Sequence, residues 1–234
     1  MLYLQDEGVH NINLVTASHY TEQLVPILRA IRGRLLHIPI VWNSSGYESA
    51  ETLRLLDGLV DIYLPDFKYV CAETAAAYSN APDYPETALA AIDEMLRQRG
   101  EPRFDSYGLM KSGVQVRHLV LPTHSRESRR ALWMLKEHFG DRIGVSIMNQ
   151  YTPMPRMTDH PVLSRRVTDE EYDRVVRYAL QIGMRHALIQ EGEAASESFI
   201  PAFDLSEDAL ALLTEKYEKS LAILEKIWYN VPNS

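Results

Sequence analysis

Asp66 and Lys68 stand two residues apart at the end of an apolar run, Asp61-Ile62-Tyr63-Leu64-Pro65-Asp66-Phe67-Lys68-Tyr69. Side chains two apart on a strand share a face, so this carboxylate and this amine project to the same side. In parallel α/β sheets the C-terminal ends of strands are where ligands bind. An ion pair placed there is either a strand-end salt bridge or part of a site for a polar small molecule. A strand-end lysine can also form a Schiff base with a carbonyl substrate. The adjacent Asp66 argues against that, because a carboxylate favours the charged amine, which is not the nucleophile.

Other residues carry weaker signals. His19 follows the strand near residues 11–16 and is the best functional candidate among 8 histidines. None of these has metal-ligand spacing; His118 and His124 are separated by a proline with no glutamate motif between them. Asn149, Gln150 and Tyr151 could line a substrate cleft or simply end a strand. Glu191 could be a pocket acid or a loop charge. Cys71 is the single cysteine. It excludes an internal disulfide and any multi-cysteine metal site made by this chain alone.

Strands and helices alternate around these residues. Asn11–Thr16 reads as a short strand, and Tyr20–Arg32 carries Leu24, Ile27, Leu28 and Ile31 at helical spacing. Pro39–Gly46 is a strand entering a glycine turn. Glu48–Leu56 is a helix for which Ser49 is a suitable cap. Val60–Phe67 is the next strand. Ala72–Arg99 is helical with an interruption near Pro82 and Pro85. Gly113–Leu121 is a strand stopped by Pro122, and Arg126–Phe139 an amphipathic helix. Ile143–Met148 is a further strand, followed by a proline-rich loop from Tyr151 to Pro161. A helix begins at the capping box Thr168-Asp169-Glu170-Glu171 and runs to Ile182, and Ala187–Gln190 is a last short strand.

Five or six strands joined by helical crossovers imply a parallel α/β sheet. Right-handed crossovers curl such a sheet in one sense. A partial or full (β/α) barrel fits best, with a doubly wound sheet second. Neither a Gly-x-Gly-x-x-Gly nor a Walker loop is present, which weakens nucleotide-binding readings. Beyond residue 203 the pattern changes. Ser206, Glu207 and Asp208 cap a helix with one apolar stripe of Leu210, Leu213, Tyr217, Leu221, Leu224 and Trp228. The expected division is a barrel domain over 1–203 and an amphipathic helix over 204–234.

A chain of 234 residues can bury one large core. Its net charge of -8 argues against a general nucleic-acid binder. The sequence holds no bilayer-length apolar run and no signal-peptide pattern, so a cytoplasmic location away from membranes is expected.

The strand-end residues, taken in order, resemble the radical S-adenosylmethionine (SAM) proteins, and within them the homologues of pyruvate formate-lyase-activating enzyme. The segments that carry the resemblance are Gly8–Thr16, Asn43-Ser44-Ser45-Gly46-Tyr47, Leu56–Lys68, Val116–Pro122 and Ile189-Gln190-Glu191-Gly192. It implies a partial (β/α)6 barrel with SAM lying across the strand ends. Lys68 would partner the SAM carboxylate, with Asp66 ordering it. Arg117, in Arg117-His118-Leu119-Val120-Leu121-Pro122, matches an arginine near SAM. Asn43 and Ser44 stand where the family has an Asp-Thr pair that helps hold a cation; Asn43 removes a charge there, and no metal site is expected. Thr16-Ala17-Ser18-His19 replaces a Gly-Gly-Glu, so Thr16 or Ser18 would meet the methionyl amine. The implied SAM-site residues are therefore Thr16, Ser18, His19, Asn43, Ser45, Asp66, Lys68 and Arg117.

The family's activity is reductive cleavage of SAM to a 5′-deoxyadenosyl radical at a 4Fe-4S cluster held by Cys-x-x-x-Cys-x-x-Cys. The resemblance implies SAM, a glycyl-radical enzyme or other protein substrate, and a reductant such as flavodoxin or ferredoxin. This chain has no such triplet, and Cys71 does not match a cluster ligand. The expectation is a radical SAM barrel lacking its first strand and its cluster segment, inactive alone. Two other functions stay open: a Schiff-base aldolase-type barrel using Lys68, and a non-catalytic partner-binding remnant with an unpaired sheet edge.

Overall fold

A computed structural model of the chain describes residues 1–154 and 159–189. A short helix, α1 (Leu2–Asp6), precedes strand β1 (Ile12–Val15). A single 3-10 turn (Ala17–Tyr20) leads into α2 (Thr21–Ile31), which is followed by β2 (Ile40–Ser44) and the short α3 (Ala50–Arg54). Then come β3 (Ile62–Pro65), α4 (Ala72–Ser79) and α5 (Tyr84–Arg99). Strand β4 (Arg103–Phe104) forms a small antiparallel hairpin with the start of β5 (Met110–Leu119). The described chain ends with α6 (Ser125–Phe139), β6 (Gly144–Met148), α7 (Asp169–Gln181) and β7 (Ala187–Ile189).

Apart from β4, neighbouring strands run parallel in the order β1-β2-β3-β5-β6-β7. That order never reverses along the chain. Because parallel crossovers are right-handed, an order without reversal places every crossover helix on one face of the sheet. A doubly wound sheet reverses at a switch point, so that alternative is excluded. The result is an α/β sheet of the partial-barrel type, with β1 and β7 at its two edges among the described residues.

The two faces differ as this topology requires. Trp42, Tyr63, Val116 and Val145 share one hydrophobic core with Leu28, Leu53, Ile92, Leu132 and Val175 of the helices. The opposite, concave face follows the strand register. One row runs Val15, Asn43, Leu64, and the next crosses Asp66, Arg117, Ser146 and Leu188. Pro65 has no N–H to give to a ladder. The pairing of β3 with β5 resumes past it, where the Phe67 N–H donates to the Arg117 carbonyl at 2.8 Å.

Element ends have local causes. The interruption expected near Pro82 and Pro85 is present: α4 ends at Ser79 and α5 begins at Tyr84, with Pro82 between them and Pro85 in the first turn of α5, where a missing N–H costs nothing. The break falls at Asn80, which closes α4 in the left-handed region at φ 51°. Ser49 caps α3 as expected, its Oγ accepting from the Thr52 N–H. Thr168 and Glu171 form the anticipated capping box. The helix expected over 204–234, Gln190, and the domain boundary at 203 lie outside the described residues. No helix among the described residues is long and apolar enough to cross a membrane.

Candidate functional site

Asp66 lies just past the end of β3, side chain 17% exposed, between two cations. Its Oδ1 is 2.7 Å from the Arg117 guanidinium and its Oδ2 is 3.4 Å from Lys68 Nζ. The parallel bridge between Asp66 and Arg117 sets this geometry, since it puts both side chains on the concave face. Two cations and one carboxylate leave the cluster with one net positive charge. Lys68 has further N–H donors beyond this pair, as does the five-donor guanidinium of Arg117. The cluster can therefore take an additional anionic group.

Arg117 also lines a hollow of about 630 Å³ along the concave face. Its walls are largely apolar, with Ile62, Leu64 and Met148, and carry the polar Asn13, Gln115 and Ser146. Gln115 is 93% buried, and its carboxamide meets the Ser146 Oγ at 3.0 Å. Gly144 leaves the room for it, since a Cβ there would strike the Gln115 side chain. Asn43 is buried, at 8% exposure, on the row adjoining Asp66. Its carboxamide makes no hydrogen bond to a described residue.

A second cluster surrounds Glu48, which sequence pattern places at the start of a surface helix. Glu48 is instead 5% exposed. Its Oε1 accepts from Ser18 Oγ at 2.6 Å and its Oε2 from Ser44 Oγ at 3.0 Å. Ser18 and Ser44 have thus already committed their protons. Thr16 sits in the left-handed region at φ 53°, and its N–H donates to the Asn43 carbonyl at 2.8 Å, tying β1 to β2 at the rim. The side chains of Thr16 and His19 are exposed, and no contact joins either to the two clusters among the described residues. Ser45 is exposed; its Oγ accepts weakly from the Tyr47 N–H at 3.4 Å.

Tyr84, from the start of α5, holds the two strand ends together. Its hydroxyl lies 2.9 Å from both the Ser45 and Asp66 carbonyls and accepts from the Lys68 N–H at 3.1 Å. Burial raises its phenol well above the ordinary value of 10.0, so the donor proton stays in place. Gly46, at φ +75°, presses against the Asp66 carbonyl, where a Cβ would collide.

The remaining candidates have structural places. His118 is 1% exposed on the helical face, and its Nδ1 meets the Phe67 carbonyl at 2.7 Å. Burial lowers its pKa below 6.5, leaving a neutral ring that donates to that carbonyl. The Tyr151 hydroxyl donates to the Leu163 carbonyl at 2.8 Å. Glu191 lies outside the described residues. Burial and the nearby Glu127 raise the Cys71 thiol above 9.0, away from a reactive thiolate. Among the described residues no group of three or more His, Cys, Asp or Glu could hold a metal ion.

No protein-family model matches the chain. An uncharacterized protein of Methanocaldococcus jannaschii is 31% identical over 170 residues, 72% of this chain. The chain spans less than half of that relative, 46% of its length. Among solved structures, a domain of pyruvate-formate lyase-activating enzyme from Bacteroides vulgatus aligns over 77% of this chain and 98% of that domain, at 12% identity and a TM-score of 0.48.

Proposed function

We propose that the rim of the concave sheet binds SAM, with Lys68 and Arg117 taking the methionyl carboxylate and Asp66 holding those two cations in position. The net positive, partly buried cluster around Asp66 carries this reading. A charge-assisted hydrogen bond to a carboxylate contributes about 1.5–3 kcal/mol, roughly 10- to 150-fold in affinity. The buried Asn43 carboxamide, on the row adjoining Asp66, supplies donors and an acceptor to the ligand. The apolar walls at Ile62, Leu64 and Met148 suit the uncharged part of the molecule and exclude water from it.

The residues fit SAM; they do not fit the other groups the resemblance implies. A 4Fe-4S cluster needs three thiolates, and this chain has one cysteine. At the place where the family holds a cation, the oxygens of Ser44 and Asp66 are engaged, since Ser44 bonds Glu48 and Asp66 is paired with Arg117 and Lys68. The proposal is therefore ligand binding in the cytoplasm, without a radical step performed by this chain. Cluster chemistry, a glycyl-radical enzyme as target and a flavodoxin or ferredoxin as reductant are what the resemblance implies for the family's cluster-bearing members. The Schiff-base alternative is disfavoured by the exposure of Lys68, whose side chain is 37% accessible and paired with a carboxylate.

Titration calorimetry with SAM tests the proposal. Lys68→Ala leaves the Asp66–Arg117 pair intact and is expected to weaken SAM by about 10-fold or more. Unchanged affinity in that variant overturns it.

A further inference from the structure

We propose that the chain carries a second, separate ligand site: an arginine-lined cleft on the helical face that takes a small molecule bearing two or more phosphates. The cleft, about 660 Å³, lies between Cys71 at the entry to α4, the first half of α6, and Tyr178 of α7. It shares no lining residue with the concave hollow. Its volume is that of small-molecule sites.

Arg126, Arg129 and Arg130 follow one another at spacings of three and one on α6, so all three reach one face of the helix. Trp133, 48% exposed, extends the same face by one more turn. Arg129 lies over the Tyr178 ring at 5.8 Å, and its Nε is buried without a hydrogen-bond partner. An Arg130 N–H points to Cys71 Sγ at 3.8 Å. None of the three guanidinium groups forms an ion pair with a carboxylate among the described residues.

Like charges on adjacent turns repel, and a bound anion relieves the repulsion. Glu127 lines the cleft too, but its oxygens are turned to α4. Oε1 accepts from the Val70 and Cys71 N–H groups at 3.1 Å each, and Oε2 from Thr74 Oγ1 at 2.9 Å. It offsets one of three positive charges and leaves the guanidinium forks open. Glu73 is the other carboxylate acting on Cys71.

Guanidinium forks match phosphate oxygens in pairs, and the first turn of α6 adds its positive dipole end. The exposed ring of Trp133 beside the arginines suits a planar ring. The chemistry is that of an oligophosphate or of a nucleoside di- or triphosphate.

Calorimetry on the full chain with pyrophosphate, ADP and adenosine, at 50 and 200 mM salt, tests this. Pyrophosphate and ADP are expected to bind, more weakly at the higher salt. The double variant Arg126→Gln/Arg130→Gln, at two exposed positions, is expected to lose at least 10-fold, while Lys68→Ala loses nothing. ADP binding tighter than pyrophosphate, with the difference abolished in Trp133→Ala, identifies a nucleotide; equal affinities identify an oligophosphate. Absence of binding at millimolar pyrophosphate and ADP overturns the proposal. So does undiminished affinity in the double variant, or adenosine binding as tightly as ADP.

Discussion

Replacing Tyr84 by Phe removes one oxygen atom from the interior and unlinks the two strand ends that carry the rim. The hydroxyl serves three backbone groups, the Ser45 and Asp66 carbonyls and the Lys68 N–H, and Tyr84 is 3% exposed. A buried polar group left without its partner costs about 1–3 kcal/mol. The three groups are not equally isolated, so the expected loss is about 2 kcal/mol rather than the sum. For a domain of this size that lowers Tm by about 4–8 °C.

The same substitution changes the alkaline limb. The folded phenol is raised above its unfolded value of 10.0, so wild-type stability is full below pH 10 and is lost as pH climbs beyond it. The Phe variant lacks this titration and loses less there. Urea unfolding followed by circular dichroism at pH 8 and pH 11 measures both effects. A variant as stable as wild type at pH 8, with SAM affinity unaltered, shows that Tyr84 does not hold the rim.

Further outcomes concern the rim's backbone and the acid limb. Gly46→Ala puts a side chain in the left-handed region and against the Asp66 carbonyl. The conformation alone costs about 1–2 kcal/mol, so a loss of at least that much, with weakened SAM binding, is expected by the same assays. Arg97, bonded to Glu94 at 2.7 and 2.9 Å, holds the Glu94 carboxyl down to about 2 from 4.5, helped by Gln98. The stability this supplies is complete above pH 4.5 and fades as pH falls toward 2. Urea midpoints at pH 5 and pH 3 should fall further for wild type than for Glu94→Gln; parallel falls contradict the assignment.

Much of the scaffold is written locally. Apolar runs closed by polar residues mark each long strand, and Thr168 with Glu171 announces α7 without help from the rest of the chain. β4 is too short to show any period; only its pairing with the start of β5 makes it a strand. Pro82 and Pro85 mark the break between α4 and α5 correctly, Pro85 sitting in the first turn of the new helix, where proline is tolerated.

The site divides in the same way. Asp66 and Lys68 are visible from their spacing, and Arg117 came from resemblance, since its contact with Asp66 depends on the register of β3 against β5. Glu48 reads as an ordinary helix-start acid beside Ser49. Its burial depends on Ser18, 30 residues away, and on Ser44. Nothing near Tyr84 discloses that its hydroxyl reaches carbonyls 39 and 18 residues earlier. Long-range hydrogen bonds of this kind leave no local period in the sequence.

Comparing SAM with its decarboxylated analogue on the wild-type chain by calorimetry isolates the carboxylate that the Lys68–Asp66–Arg117 cluster is proposed to hold. The two ligands share the adenosine, the sulfonium and the amine. SAM should bind about 10-fold or more tightly, and the gap should narrow in Lys68→Ala, where Arg117 alone remains for the carboxylate. Equal affinity of the two ligands for the wild-type chain would contradict the central claim.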